Sequence, residues 1–248
     1  MSLAEHLVEL RKRLFIAGIT IAVGAIGGFF LAPHVMAAIR IPIEMIAQER
    51  NATIMYTTVT GAFDLQLQIA ITIAIVGTSP VWLYQIFAFL VPGLTGREKR
   101  YTFGFFFSAV PLFLAGAASG WFVFPHMVIL LTGFASTEEA TNLDARTYYD
   151  FVIKLVLAVG IAFVLPVFIV LLNFLGVISA VTIIKGWRIA ILAIVVFCAI
   201  ATPAADVASM FLLAVPMVLL YLVAAGIAWI HDRAAAKRLA ALDDELAV

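Results

Sequence analysis

Six runs of nearly unbroken apolar residues divide the chain: Leu14–Ala32, Leu67–Val91, Tyr101–Thr132, Phe151–Ile178, Ile189–Ala201 and Val207–Ile230. Polar and charged residues gather between the runs and in the tails 1–13 and 231–248. Runs this long and this uniform fit neither an amphipathic surface helix nor the alternating strands of a barrel. In lipid a spanning segment must satisfy its own backbone hydrogen bonds, so each run predicts a transmembrane helix. The expected fold is all-α, a single integral membrane domain over residues 1–248 with six spans.

The runs differ in length. The third covers 32 residues, about 48 Å of helix against roughly 30 Å of hydrocarbon. It must tilt, bend or project, with Pro111, Pro125, Gly104, Gly116 and Gly120 as places to bend. The fifth has 13 residues, about 20 Å, too short for an unperturbed bilayer. A long bent helix beside a short fifth and sixth pair predicts a concave, uneven wall. The segment Pro33–Gln66 is half apolar around Pro42 and predicts a short interfacial helix outside the bilayer; Phe134–Asp150 is polar and acidic and predicts a cap.

Composition agrees with the pattern. Of 248 residues 65% are hydrophobic and 12% charged, and mean hydropathy is +1.14. A water-soluble domain of this size has no interior for that much apolar side chain. Disorder, nucleic-acid binding and a disulfide scaffold are excluded, and the one cysteine, Cys198, reads as a small buried hydrophobe. Net charge is zero and uninformative, but placement is not. Eleven of the 15 basic residues fall in the N-terminal tail, the loops after spans two and four, and the C-terminal tail; Arg40, Arg50, Arg146 and Lys154 fall on the other side. The positive-inside rule then puts both termini in the cytoplasm. Ser2–Arg13 is polar, and the run after it is too long for a secretory signal.

Catalytic chemistry finds no support. There is no phosphate-binding Gly-x-x-x-x-Gly-Lys run, no His-Glu-x-x-His and no metal-spaced Cys or His cluster. His6 and Glu9 share a helix face, but one pair does not make a metal site. Ser79, Ser108 and Ser119 have no recognisable base. Ionisable residues are missing from the span interiors, which counts against an ion pump or a proton-coupled carrier. Gly24, Gly27, Gly28 and Ala115–Ala118 read as helix-packing positions. Two acids sit inside basic clusters: Glu9 in His6-Leu-Val-Glu-Leu-Arg-Lys-Arg-Leu14 and Glu98 in Pro92-Gly-Leu-Thr-Gly-Arg-Glu-Lys-Arg100. Either alone reads as helix pairing, Glu9 with Arg13 at i, i+4. Together, flanking the first two spans, they read as a site.

Those two segments, with Ser79-Pro-Val-Trp-Leu-Tyr-Gln85, Phe87-Ala-Phe-Leu-Val-Pro92, Thr202-Pro203, Asp206-Val207 and Leu212-Leu-Ala-Val-Pro-Met217, resemble the TatC family of twin-arginine translocase subunits. The resemblance covers nearly the whole chain in order. It implies a membrane receptor, without cofactor or enzymatic activity, for signal peptides carrying paired arginines. With TatA- and TatB-type partners such a receptor exports folded proteins across the cell membrane on the protonmotive force, and self-association in the complex is implied too. The family's signal-binding acids match Glu9 and Glu98, and its aromatic in that patch matches Phe89; Arg13 and Arg97 stand beside the acids. Pro42, Tyr84, Gln85 and Asp206 match further family positions. Two positions depart from the pattern: Val164, ahead of Pro166, and Met210 stand where many members carry polar groups, while Thr202 is retained. Partner docking at Val164, Pro166, Thr202 and Met210 then rests on packing more than on polar pairing. The alternative from another class is a small solute carrier, which needs a midplane polar site and an inverted repeat.

Overall fold

The computed structural model describes residues 3–50, 53–90, 96–133, 142–201 and 207–246. The elements in order are α1 (Leu3–Arg50), β1 (Thr53–Met55), α2 (Gly61–Gly77), α3 (Ser79–Leu90), α4 (Gly96–Gly133), β2 (Asn142–Asp144), α5 (Ala145–Phe174), α6 (Ala180–Lys185), α7 (Trp187–Ala201) and α8 (Val207–Leu246). The fold is helical apart from one short parallel pairing of β1 with β2. Four helices are long and apolar enough to cross a membrane, and the bent pair α2–α3 makes a fifth if counted as one span. The chain is an integral membrane protein.

The first span does not stop at Ala32. α1 runs on through Pro33 and Pro42 to Arg50, in place of a separate interfacial helix. Proline at 33 leaves the Phe29 carbonyl without its helical donor. Gln66 Nε2 on α2 supplies one, at 3.4 Å. Farther along, Tyr148 Oη donates to the Ile39 carbonyl at 2.7 Å and Tyr149 Oη to that of Met36 at 3.2 Å. Ile39, Pro42 and Ile43 are buried, so packing and side-chain donors hold the extension together.

The second span is broken rather than straight. α2 and α3 meet at Thr78 with a bend of 60°. Pro80 has no N–H to continue the ladder, and Thr78 turns its hydroxyl back onto the Ala74 carbonyl at 2.7 Å. Trp82 Nε1 takes the Ile75 carbonyl at 2.8 Å. The helix at the fifth apolar run stays short, 15 residues in α7. The sixth does not: α8 has 40 residues and carries the C-terminal tail as helix to Leu246. That tail is rich in alanine, leucine, lysine and arginine, with no glycine or proline to end the helix.

Inside a bilayer, burial gains little from leaving lipid, so close packing must hold helices together. α4 against α5 is the most extensive pairing. A Cβ on Gly116 would lie 2.7 Å from the Val159 carbonyl oxygen, and one on Gly120 would lie 3.0 Å from Val156 Cα. These glycines set backbone contact rather than bends. Gly28 does the same for α1 on α2, where a Cβ would collide with the Ala70 carbonyl oxygen; Gly27 faces open space. Helices α1, α2, α4 and α5 enclose an apolar groove of about 410 Å³, lined by Ile39, Ile73, Leu114, Trp121 and Val152 among others.

Candidate functional site

Two ends of the bundle can be told apart. One end gathers the start of α1, the end of α3, the start of α4, the end of α5 and residues near 232 of α8; contacts His6–Phe89, Phe105–Phe174 and Asn173–Asp232 define it. The other end carries the β1–β2 pairing and the start of α5.

The candidate acid Glu9 lies at the first end. Its neighbours on α1 are spaced so that residues 6, 9 and 13 share one helix face. Arg13 donates to Glu9 Oε1 through Nη2 at 2.6 Å and Nε at 3.1 Å. The same guanidinium donates through Nη1 to Gln85 Oε1 on α3, at 3.4 Å. Arg13 and Glu9 side chains are 22% and 21% exposed, enough for water and a ligand to reach them. One turn on, the rings of His6 and Phe89 stack at 4.3 Å. His6 and Glu9 therefore have separate partners. No group of three potential metal ligands occurs among the described residues.

Sequence reasoning placed Glu9, Arg13 and Phe89 in one candidate set and Gln85 among the further family positions, and the fold brings all four to the same end. It does not bring Tyr84 to the same face. Tyr84 packs against Phe103 and Phe106 of α4, at 6.1 and 5.7 Å between centroids. Arg97 and Glu98 fall in the first turn of α4, at the same end, and their side chains lie outside the described residues. Thr202 and Asp206 also lie outside them. Pro42 sits toward the far end, buried in α1.

The partner-docking candidates scatter. Val164 is 4% exposed and packs with Leu83, Phe87, Phe113 and Leu171 between α3, α4 and α5. A docking helix could not touch it, and its apolar character matches an interior site. Pro166 is buried as well and lines an apolar groove of about 300 Å³ with Phe105, Leu112, Leu220 and Ile227. Met210 is half-buried against the main core.

Two further polar groupings were missed. At the first end Asp232 accepts from Asn173 Nδ2 at 2.9 Å and from the Ala180 N–H at 2.7 Å. His231 stacks on Phe174 at 3.9 Å, and this grouping ties α8 to the α5–α6 turn. At the far end Arg40 donates to Tyr149 Oη at 3.0 Å and Tyr56 Oη at 2.6 Å, and Gln68 donates to Asp150 at 2.7 Å. These partners lie 16 to 109 residues apart, so no local spacing signals them. Only the fold juxtaposes these residues.

Comparison with known proteins follows the same outline. The family model described as Sec-independent protein translocase protein (TatC) matches residues 5–216. The TatC protein of Xylanimonas cellulosilytica is 40% identical over 242 residues, covering 97% of this chain and 88% of that protein. The TatC of Rothia mucilaginosa is 38% identical, covering 98% and 84%. A crystal structure titled as the twin arginine translocase receptor TatC superposes with a TM-score of 0.77 at 31% identity, covering 91% of this chain and 98% of that one. With the family model spanning most of the sequence and the solved fold matching throughout, the chain belongs to the TatC family of Sec-independent protein translocase proteins.

Proposed function

We propose that this chain is the receptor and core subunit of a twin-arginine translocase. It lies in the cell membrane with six spans and both termini cytoplasmic, and its first end faces the cytoplasm. There it captures signal peptides through Glu9 and Glu98, with Phe89 beside them. TatA- and TatB-type subunits join it to pass folded proteins outward on the protonmotive force. Relatives named as translocase proteins leave the solute-carrier and intramembrane-enzyme alternatives without ground.

One observation carries the reading: the Glu9 carboxylate already holds a guanidinium, with two N–H groups on one oxygen at 2.6 and 3.1 Å. The planar fork of arginine fits a carboxylate, and the compact ammonium of lysine does not reproduce it. Basic residues Arg11, Lys12, Arg97, Lys99 and Arg100 surround the two acids in sequence. Long-range attraction is therefore weak and short contacts must select the ligand; a pair at 4 Å gives about 4 kcal/mol at an effective dielectric of 20, before desolvation. The apolar stretch of a signal adds about 0.8 kcal/mol for each CH₂ it buries.

The test is photocrosslinking of a twin-arginine precursor to the receptor in membranes. Glu9→Ala and Glu98→Gln should each reduce the adduct at least about tenfold, the loss of one charge-assisted contact of roughly 1.5–3 kcal/mol. Undiminished crosslinking in both variants overturns the assignment.

A further inference from the structure

The receptor carboxylate is occupied from within. Both contacts from Arg13 fall on Glu9 Oε1. No described residue donates to Oε2. The remaining arm of Arg13 already reaches Gln85 Oε1, at 3.4 Å. The stack of His6 on Phe89 joins α1 to α3 without using Arg13 at all.

We propose that Arg13 is an internal substitute for the ligand, and that capture proceeds by exchange of one guanidinium for another on Glu9. This rests on the signal-receptor reading above. The incoming arginine places its fork on the carboxylate. Arg13 withdraws toward the Gln85 side-chain carbonyl, which accepts its N–H groups. Glu9 holds one guanidinium before and one after, so an arginine ligand makes the exchange nearly isoenergetic at this carboxylate. An ammonium must displace a fixed two-armed donor with a single point contact, and loses. The helices need not part, because the ring stack keeps them joined while Arg13 moves. Arg13 is thus an internal competitor that sets the affinity threshold: it raises the dissociation constant of every cationic ligand by one factor, which a guanidinium fork overcomes and a single ammonium contact does not.

The experiment uses the full-length receptor in detergent and fluorescent signal peptides bearing Arg-Arg or Lys-Lys, with affinities from anisotropy. Removing Arg13 also removes a positive charge, which strengthens both peptides alike. The informative variant is therefore Arg13→Lys, which keeps the charge and loses the fork. As a weaker competitor it should tighten the Arg-Arg and Lys-Lys peptides by the same factor of about two, matching about 0.5 kcal/mol for an i, i+4 pair, and leave their ratio unchanged. Arg13→Gln should tighten both at least as much. Gln85→Leu takes away the acceptor for the displaced arm and should weaken Arg-Arg binding about two- to fivefold in the native background. It should do nothing further in Arg13→Gln, since the two residues act as a unit. A native receptor that prefers Arg-Arg, with an Arg13→Lys variant that binds neither peptide more tightly, overturns the exchange and leaves the receptor reading standing. A native receptor with no preference overturns the receptor reading itself.

Discussion

Arg13 and Arg40 sit at opposite ends of the same helix and are held in opposite ways. Arg40 donates to two tyrosine hydroxyls, and Tyr149 Oη in turn donates to the Met36 carbonyl. Every member is neutral except the arginine, and Tyr149 is fully buried. Among the described residues Arg40 donates to no carboxylate, so a competing cation has no anionic partner of it to take, and that end joins α1, the β1–α2 connection and α5 through neutral acceptors. Arg13 instead rests on a partly exposed carboxylate whose second oxygen accepts from no described residue. The contrast separates a joint from a socket: neutral partners fix an arginine in place, and a charged partner near water keeps it replaceable.

The largest effect should come from breaking the joint. Tyr149→Ala removes a buried ring and both of its hydrogen bonds, at a cost of about 3–5 kcal/mol. Thermal unfolding in detergent should show a midpoint well below that of Arg13→Gln, which loses only a surface pair of about 0.5 kcal/mol. Equal midpoints would erase the distinction between the ends. Next comes Gln68→Leu, which leaves Asp150 without its donor. A loss of about 1–3 kcal/mol is expected, and Asp150→Asn should restore part of it in the double variant. The smallest effect belongs to the start of α5. The Thr147 N–H, then its hydroxyl, donate to the Asp144 carboxylate and hold its pKa below the ordinary 3.8. Stability from this cap is fully present above that ordinary value and is lost as pH falls through the lower folded-state value. The unfolding midpoint should therefore drop slightly across that acid window, and Asp144→Asn should flatten the drop.

Much of the helical architecture is legible in the sequence because lipid permits so few solutions. Apolar runs give the positions of α4, α5, α7 and α8 to within a few residues at most ends. Where the reading failed, a tertiary contact overrode a local rule. Pro33 reads as a helix end, and becomes helix interior because Gln66 supplies the missing donor. Pro80 reads as part of a continuous run, yet it coincides with a break that hydropathy does not register. Gly116 and Gly120 in α4 read as flexible points and are contact points, since the α5 backbone lies against them, while Gly104 faces open space. The Glu9–Arg13 pairing was legible through its i, i+4 spacing, and Gln85 and Phe89 became candidates through family resemblance. The Arg40 and Asp232 groupings were not, because their members come from separate helices.

The bend at Thr78 has one more consequence. Gln85 and Phe89 are four residues apart on α3, so both project from one side of a short helix whose rotational phase is fixed at that elbow. Adding a single residue there would swing that side by about 100°. The glutamine and the phenylalanine would then point away from α1 together, and the palm proposed to weigh an export tag would open without any change to its own residues.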